Sequence, residues 1–546
     1  MKLINKKRAE YLSIIITIIA VSVLALVFAH FEFSGKNNKN IPPVKNNLKN
    51  TLIIGLPADA TNLIGNMAAD APTAGVTSQI YDGLVRYNRN FKIVPDLAKS
   101  WKISNDGKTI TFYLHHNVYW QNGQKFTAKD VIFTYNLMVN PKTPTPYAAE
   151  YLKVYKAKTI GNYIFQVTYK KPYAPALSSW GLNILSKKLL EGKNLLTTKL
   201  RSHPVGTGPY EFDKWIHGYE IVLKANPHYF RGAPRIKRLI YKIVPDPSSM
   251  FLMLKSNGIS YMGLSPIQFK YESGGKKFNL RFKKYIHPSL SFTFLGYNLL
   301  DPLFKSMKVR QALTYAINKE EIIKGALLGL GIHCYGPFMP GTYFYDKNVK
   351  RYDYNPVKAL KLFNEAGWSL KNGILERRGK PFRFTILTPQ GNQERLSAAE
   401  IIQQNLKKIG IRVGIRVMEW TSLISEFIMK KKFQTVLLGF TITPDPYDNA
   451  AIFMGSNIVP KGLNFTSFNN PEIDDLFRKA RSTFDLKQQR KYYFKIQRIL
   501  AKEAPYTFLY IPYATPVVKK DIKGIKPAPA GIGYDIRKWY YGKFTD

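Results

Sequence analysis

The sequence predicts an α/β fold on three observations. From Thr51 onward, strand-like and helix-like segments alternate with clear punctuation between them. Strand, helix and strand succeed one another between Phe382 and Val417, a βαβ pattern that requires a parallel pair of strands. Apolar residues make up 45% of the 546, enough for a sizeable core and several domain-sized units, so wholesale disorder is excluded.

Lys2, Lys6, Lys7 and Arg8 precede an uncharged apolar run from Tyr11 to Ala29. Basic residues before such a run read as a cytoplasmic N-terminus and export of the chain beyond it, so residues 1–31 are expected to be a signal or a membrane anchor. Cleavage after Ala29 and retention as an uncleaved anchor both stay open, and no Cys directly follows the run to carry a lipid. Residues 32–50, rich in Lys, Asn and Pro, read as a flexible spacer. Thr109–Leu114 (TITFYL) has the β-branched and aromatic content of a strand. Asn122-Gly123 then marks a turn, and Thr127 with Asp130 forms a capping box before a helix that ends ahead of Asn140-Pro141. Asn355-Pro356 supplies an N-cap and N1 proline for a helix closed by Gly367. Phe382–Leu387 and Ile411–Val417 are strands around the helix Ser397–Ile409, which stops at Gly410. Asn470-Pro471 and Asp485 start two more helices, the second running to about Glu503 before Pro505.

Several function classes find no support. Cys334 is the single cysteine, which excludes an intramolecular disulfide framework and multi-cysteine metal sites; a small buried residue is its plainest role. G-x-S-x-G, H-E-x-x-H and the phosphate-binding P-loop are absent, and the G-x-G fragments at Gly206, Gly329 and Gly531 lack a third glycine and read as turns. His115 and His116 would point to opposite faces of a strand and cannot jointly chelate one metal. No metal and no cofactor is expected. Lys and Arg number 81 against 36 Asp and Glu, a formal charge of +45, and the first fifty residues hold only eight basic and two acidic side chains. The excess therefore belongs to the body. It is spread rather than concentrated, the longest run being Lys430–Lys432, so a solvated basic surface fits better than a nucleic-acid footprint.

The order of segments resembles a known family. QIYDGLVRYN (Gln79–Asn88), the stretch Ile93–Tyr135, PVGTGPYEFDKWIHGYEIVLKANPHYFRGAP (Pro204–Pro234), Ile240–Ile259, Lys308–Ile323, Tyr354–Trp368 and Asn470–Arg481 together resemble the peptide- and nickel-binding class, family 5, of extracytoplasmic solute-binding proteins of ABC importers. The resemblance implies a two-lobed, periplasmic-binding-protein-like α/β fold with a hinged interlobe cleft. Lobe I would be 51–286, lobe II 287–504, and 505–546 would return to lobe I. It implies a monomeric, non-enzymatic binder, periplasmic or otherwise extracytoplasmic, that captures a peptide or other small solute and delivers it to an ABC transporter permease. A peptide hydrolase, a stand-alone receptor without an importer and an envelope-binding structural protein are the alternatives.

Family members commonly pair an acidic residue with the ligand's ammonium group. Thr443-Pro444-Asp445-Pro446-Tyr447-Asp448 matches the family's Asp-Pro loop, which makes Asp445 the expected partner and Asp448 the second choice; Asp-Pro also simply starts turns. Phe440 stands where the family often has Trp. Further cleft candidates are Asn62 after the first strand, Trp180 in ALSSWGLNIL, Asn298 near the hinge and Trp420 at the end of a lobe II strand. Aromatics serve binding sites well, and they serve cores equally.

Overall fold

The strand Thr51–Leu56 buries its first four residues, as a strand flanked on both sides must. In the computed structural model, which describes residues 50–542 apart from 68–69, 442–444 and 460–461, it lies in the middle of a seven-stranded sheet. Its neighbours Arg238–Ile243 and Tyr261–Gly263 run parallel to it. Glu220–Ala225 and Tyr210–Ile216 extend one side, while Pro516–Lys519 and Phe282–Lys284 extend the other. The expected signal or anchor (1–31) and nearly all of the expected spacer (32–50) lie outside the described residues. Among the described residues no helix is long and apolar enough to cross a membrane.

A second sheet takes the order His287–Pro288, Tyr506–Ala514, Ser291–Tyr297, Thr435–Thr441, Arg383–Pro389, Arg412–Met418. Its last three strands are mutually parallel, which the βαβ reading required. The intervening helix spans Gln393–Lys407 and buries Ala398, Ala399, Ile402 and Leu406 against the sheet. A four-stranded antiparallel sheet, built from Ala98–Ile103, Thr109–Leu114, Ile164–Tyr169 and Val154–Ile160, packs a separate core around Phe112, Phe165 and Trp180.

Helix starts obey their local chemistry. Asp130 accepts from the Thr127 amide at 3.0 Å while Thr127 Oγ1 accepts from Lys129 N, opening the helix Ala128–Val139. Asn355, Asn470 and Asp485 cap Pro356–Glu365, Pro471–Arg481 and Leu486–Glu503. Gly206 is more than a turn residue: a Cβ there would stand 1.8 Å from the Ile80 carbonyl oxygen, so close backbone approach requires glycine. Cys334 is buried, its thiol donating to the Gly336 carbonyl at 3.1 Å. His115 and His116 turn to different rings, Phe230 and Tyr163.

The chain passes between the two large sheets twice. It leaves the first after Lys284 and enters the second at His287; it leaves the second after Ala514 and re-enters the first at Pro516. The expected return at residue 505 is thus displaced to Thr515. Pro505 ends a helix, but the next strand, Tyr506–Ala514, finds its partners in the second sheet. Which sheet a strand joins depends on partners far away in sequence.

A buried polar network stiffens the first lobe. Asp82 accepts from Tyr229 OH (2.8 Å) and Thr207 Oγ1 (3.0 Å); Asp96 accepts from Arg231 Nη1 at 2.7 Å, with Arg86 Nε 3.6 Å away. Burial, and then the neighbouring Asp82, push the Asp96 carboxyl up to about 8 against the opposing pull of Arg231 and Arg86. Its folded value lies above the unfolded one, so the native state holds a proton that the unfolded chain releases. The stability this contributes is present at low pH and is lost as pH rises toward 8. The thermal midpoint is therefore expected to fall between pH 5 and pH 8, and Asp96→Asn to flatten that slope even where it lowers the midpoint overall; calorimetry across the range checks both.

Candidate functional site

One edge of the second sheet faces the first lobe. Strand Ser291–Tyr297 begins, and strand Tyr506–Ala514 ends, next to the crossings, and Thr441 lies opposite Ser291 on that same edge. Parallel strands Arg383–Pro389 and Thr435–Thr441 both finish there. In parallel α/β sheets the loops beyond the carboxyl ends of the strands are where ligands bind; three such loops lead into helical segments here, the one after Arg412–Met418 into the short helix Trp420–Ser422.

After Thr435–Thr441, Asp445 caps the short helical turn Pro446–Asn449 by accepting from Tyr447 N at 2.9 Å. Its other carboxylate oxygen accepts from Ser178 Oγ at 2.8 Å. Ser178 belongs to the first-lobe helix Ala176–Ser179, so this hydrogen bond joins the lobes. Burial raises the Asp445 carboxyl, offset in part by the Tyr447 amide and the Ser178 hydroxyl. Around it lies a wider seam. The Tyr447 ring meets Tyr173 edge-on at 6.3 Å, Arg481 Nη1 donates to Tyr447 OH at 3.0 Å, and the Ala174 amide donates to the Arg481 carbonyl at 2.7 Å. On the first-lobe side Glu150 accepts from both Lys153 and Tyr173 OH.

After Arg383–Pro389, Asn392 caps the helix Gln393–Lys407 and places Arg395 in its first turn. A cation there opposes the helix dipole. The guanidinium is half-buried and forms no ion pair among the described residues. Burial pulls its pKa down, with Tyr510 and Glu394 offsetting this in part. Room for it comes from Gly439: a Cβ at that position would be 2.8 Å from Arg395 Nη2. An acidic group and a cation therefore stand in two of these loops at the same sheet edge, opposite in sign and both removed from bulk water.

Residues 92–459 match the family model for bacterial extracellular solute-binding proteins, family 5. The chain belongs to this family. It is 32% identical over 507 residues to the oligopeptide-binding protein AppA of Bacillus subtilis (strain 168), covering 90% of this chain and 92% of that one. It is 28% identical to the dipeptide-binding protein of Escherichia coli (strain K12), covering 83% and 87%. Among solved structures, NikZ from Campylobacter jejuni in complex with Ni(L-His) superposes with a TM-score of 0.77 at 30% identity, covering 90% of this chain and 99% of that one. AppA from B. subtilis in complex with a nonapeptide gives 0.76 at 31%, with the same coverage. The two-lobed architecture is thus the family's.

Of the expected site residues in this family 5 chain, Asp445 stands between the lobes, bonded to Ser178 of the first. Asp448 is exposed beside it. Asn62 is buried and accepts from Ile64 N at 2.9 Å, bracing its own loop. Trp180 is fully enclosed among Phe112, Tyr151 and Phe165, its indole donating to Tyr169 OH: it fills the core. Asn298, expected near the hinge, sits at the opposite edge, because the strand Ser291–Tyr297 starts at the crossing and carries it away. Its amide donates to the Lys431 and Phe433 carbonyls. Trp420 is 54% exposed on a short helix after Arg412–Met418. Phe440 stacks on Phe294 at 5.3 Å within an aromatic cluster. Ser178, Tyr447, Arg481 and Arg395 were missed. For Arg395 the sequence did carry a signal, a basic residue in the first turn behind an Asn cap.

Ser178→Ala would remove a first-lobe donor from Asp445. Losing a hydrogen bond to a charged acceptor costs about 1.5 kcal/mol or more, so ligand affinity is expected to weaken by roughly tenfold through easier opening. Titration calorimetry measures the affinity. Small-angle scattering of the unliganded protein should show a larger radius of gyration than wild type.

Proposed function

We propose that this chain captures short peptides outside the cytoplasm, in the cleft between its lobes, and delivers them to an ABC-type importer. The observation that carries the reading is the pairing of Asp445 and Arg395 at one sheet edge, a carboxylate for a ligand's ammonium and a guanidinium for its carboxylate. Charge-assisted bonds to both ends of a zwitterion would be made only when the lobes close on it, and that differential contact is what drives closure. Peptide-binding relatives, including AppA in complex with a nonapeptide and DppA from Helicobacter pylori in complex with the peptide STSA, support the cargo class. A second reading rests on the Ni(L-His) complex of NikZ at similar identity: a metal chelated by an amino acid also offers a carboxylate to Arg395.

Thermal shift of the full chain against di- to octapeptides, with Ni(L-His) and oligosaccharides alongside, separates the cargoes, since a ligand of the folded state raises the midpoint. Peptides are expected to give the shift and to be recovered uncleaved; cleaved product would make the protein a hydrolase instead. Arg395→Gln should weaken a free-carboxylate peptide by about 10- to 100-fold, the worth of a charge-assisted bond. It should leave the C-terminally amidated peptide nearly unaffected, while Asp445→Asn should discriminate in the same way between free and N-acetylated termini. Equal loss for blocked and free peptides would assign both residues to the fold rather than to the ligand.

A further inference from the structure

At the edge of the second sheet away from the hinge, a patch of its face lies open. Strands Arg383–Pro389 and Arg412–Met418 pair in parallel with Arg383 opposite Arg412, Thr385 opposite Gly414 and Leu387 opposite Arg416. Side chains alternate along each strand, and Phe384 and Ile386, with Val413 and Ile415, face the core on the helix side. The two arginines, Thr385, Gly414 and Arg416 therefore share the other face. A concavity of about 380 Å³ is lined by Arg383, Arg412, Thr385, Gly414 and Gln434. A neighbouring one of about 550 Å³ shares Thr385 and Gln434, and adds Arg416, Lys431 and Lys432.

Like charges directly opposite on adjacent strands repel and destabilise a sheet. Here two arginines stand in register, three more cations continue along the groove, and none of the five forms an ion pair among the described residues. The carboxylate lining it, Asp301, already accepts from Leu303 N (2.9 Å) and Gln434 Nε2 (3.3 Å). Arg416 is held in place, its guanidinium 5.0 Å from the Phe427 ring centre. Gly414 leaves the floor open: a Cβ there would come within 3.4 Å of Thr385 Oγ1. Planar guanidinium forks beside a hydroxyl suit a tetrahedral oxyanion, and five cations suit more than one negative charge.

We propose that this groove is a second binding site, separate from the cleft, for a multiply charged phosphate oxyanion, supplied by a soluble oligophosphate or by a phospholipid headgroup.

Calorimetric titration of the full chain with inorganic tripolyphosphate should show saturable one-to-one binding that weakens with salt. The double variant Arg383→Gln/Arg412→Gln should bind on the order of tenfold or more weakly, having lost two charge-assisted partners. Its midpoint in phosphate-free buffer should equal or exceed that of wild type, because repulsion is relieved. Lys156→Gln/Lys158→Gln removes the same charge from exposed positions on the strand Val154–Ile160 and should change affinity less than about twofold, as screened surface charges do. Sedimentation with cardiolipin vesicles, whose headgroup carries two phosphates, distinguishes the sources. Vesicle binding lost in the arginine variant assigns the headgroup, and tripolyphosphate binding without arginine-dependent vesicle binding assigns the soluble ligand. Absence of saturable tripolyphosphate binding, or equal loss in the two double variants, overturns the proposal.

Discussion

The paired crossing between the two large sheets is the constraint on which the rest depends. Phe282–Lys284 pairs with Pro516–Lys519 on one side of it and His287–Pro288 with Tyr506–Ala514 on the other, while Tyr285 N donates to the Pro516 carbonyl between them at 2.8 Å. The two connections therefore form one continuous antiparallel ribbon rather than two independent tethers. A ribbon of this kind bends and twists without giving up its ladder, so the lobes can rotate about it at small cost. Closure is then decided by what the lobes gain from each other. The seam they share, Ser178 to Asp445 and Ala174 to Arg481, is polar, and water can replace each of its hydrogen bonds. Contacts of that kind are worth about 0.5–1.5 kcal/mol net between neutral groups and about 1.5–3 kcal/mol where one is charged, a range in which a ligand touching both sides decides the balance.

A soft hinge is useful only if each lobe is stiff, and the buried polar groups serve that end. Through Asp82 and Asp96, bonded to Thr207, Tyr229 and Arg231, three segments of the first lobe are tied together. In the second lobe, Arg310 is 4% exposed and donates to the carbonyls of Phe304, Lys305, Glu503 and Ala504. It thereby satisfies the end of the helix Leu486–Glu503, whose last carbonyls have no partner within the helix. Removing one member of such a network leaves the others buried and unpaired, so each lobe moves as a body.

Elements governed by local chemistry were legible in the sequence. Caps at Thr127, Asn355, Asn470 and Asp485 arise from residues within a few positions of one another, and the parallel pair around Gln393–Lys407 from one contiguous stretch. Partnerships across the chain were not. Tyr506–Ala514 reads as a strand, yet nothing near it says that it joins the second sheet before Thr515 returns to the first. Trp180 and Asn298 illustrate the same limit in the site. An aromatic and an amide are equally suited to a ligand and to a core, and only the fold shows one enclosed by Phe112, Tyr151 and Phe165 and the other bracing carbonyls at the far edge. Asp445 was legible through its loop motif. Its donor Ser178, 267 positions earlier, belongs to a different lobe.

Charge connects the two edges of the second sheet. With 36 acidic residues against 81 basic ones, carboxylates are the scarce partner, and their placement is selective. Asp70, Asp130, Asp246 and Asp485 cap helices, Asp82 and Asp96 hold the first-lobe network, and Asp445 stands in the interlobe seam. Between two lobes of the same sign, closure would otherwise bring like charges together. Glu150 with Lys153 on one side, and Asp445 with Arg481 bound to the adjacent Tyr447 on the other, keep the seam mixed in sign. At the far edge Arg383 faces Arg412 across the ladder, and Asp301, held by the Leu303 and Gln434 amides, is the carboxylate that lines the neighbouring concavity among the cations. A uniform excess of basic residues would place the acids at random with respect to these edges. With Glu150 and Asp445 on the two sides of the seam, and Asp301 set against five cations along the groove, one sheet has an edge where lobes of the same sign meet with carboxylates between them and an edge left with excess positive charge.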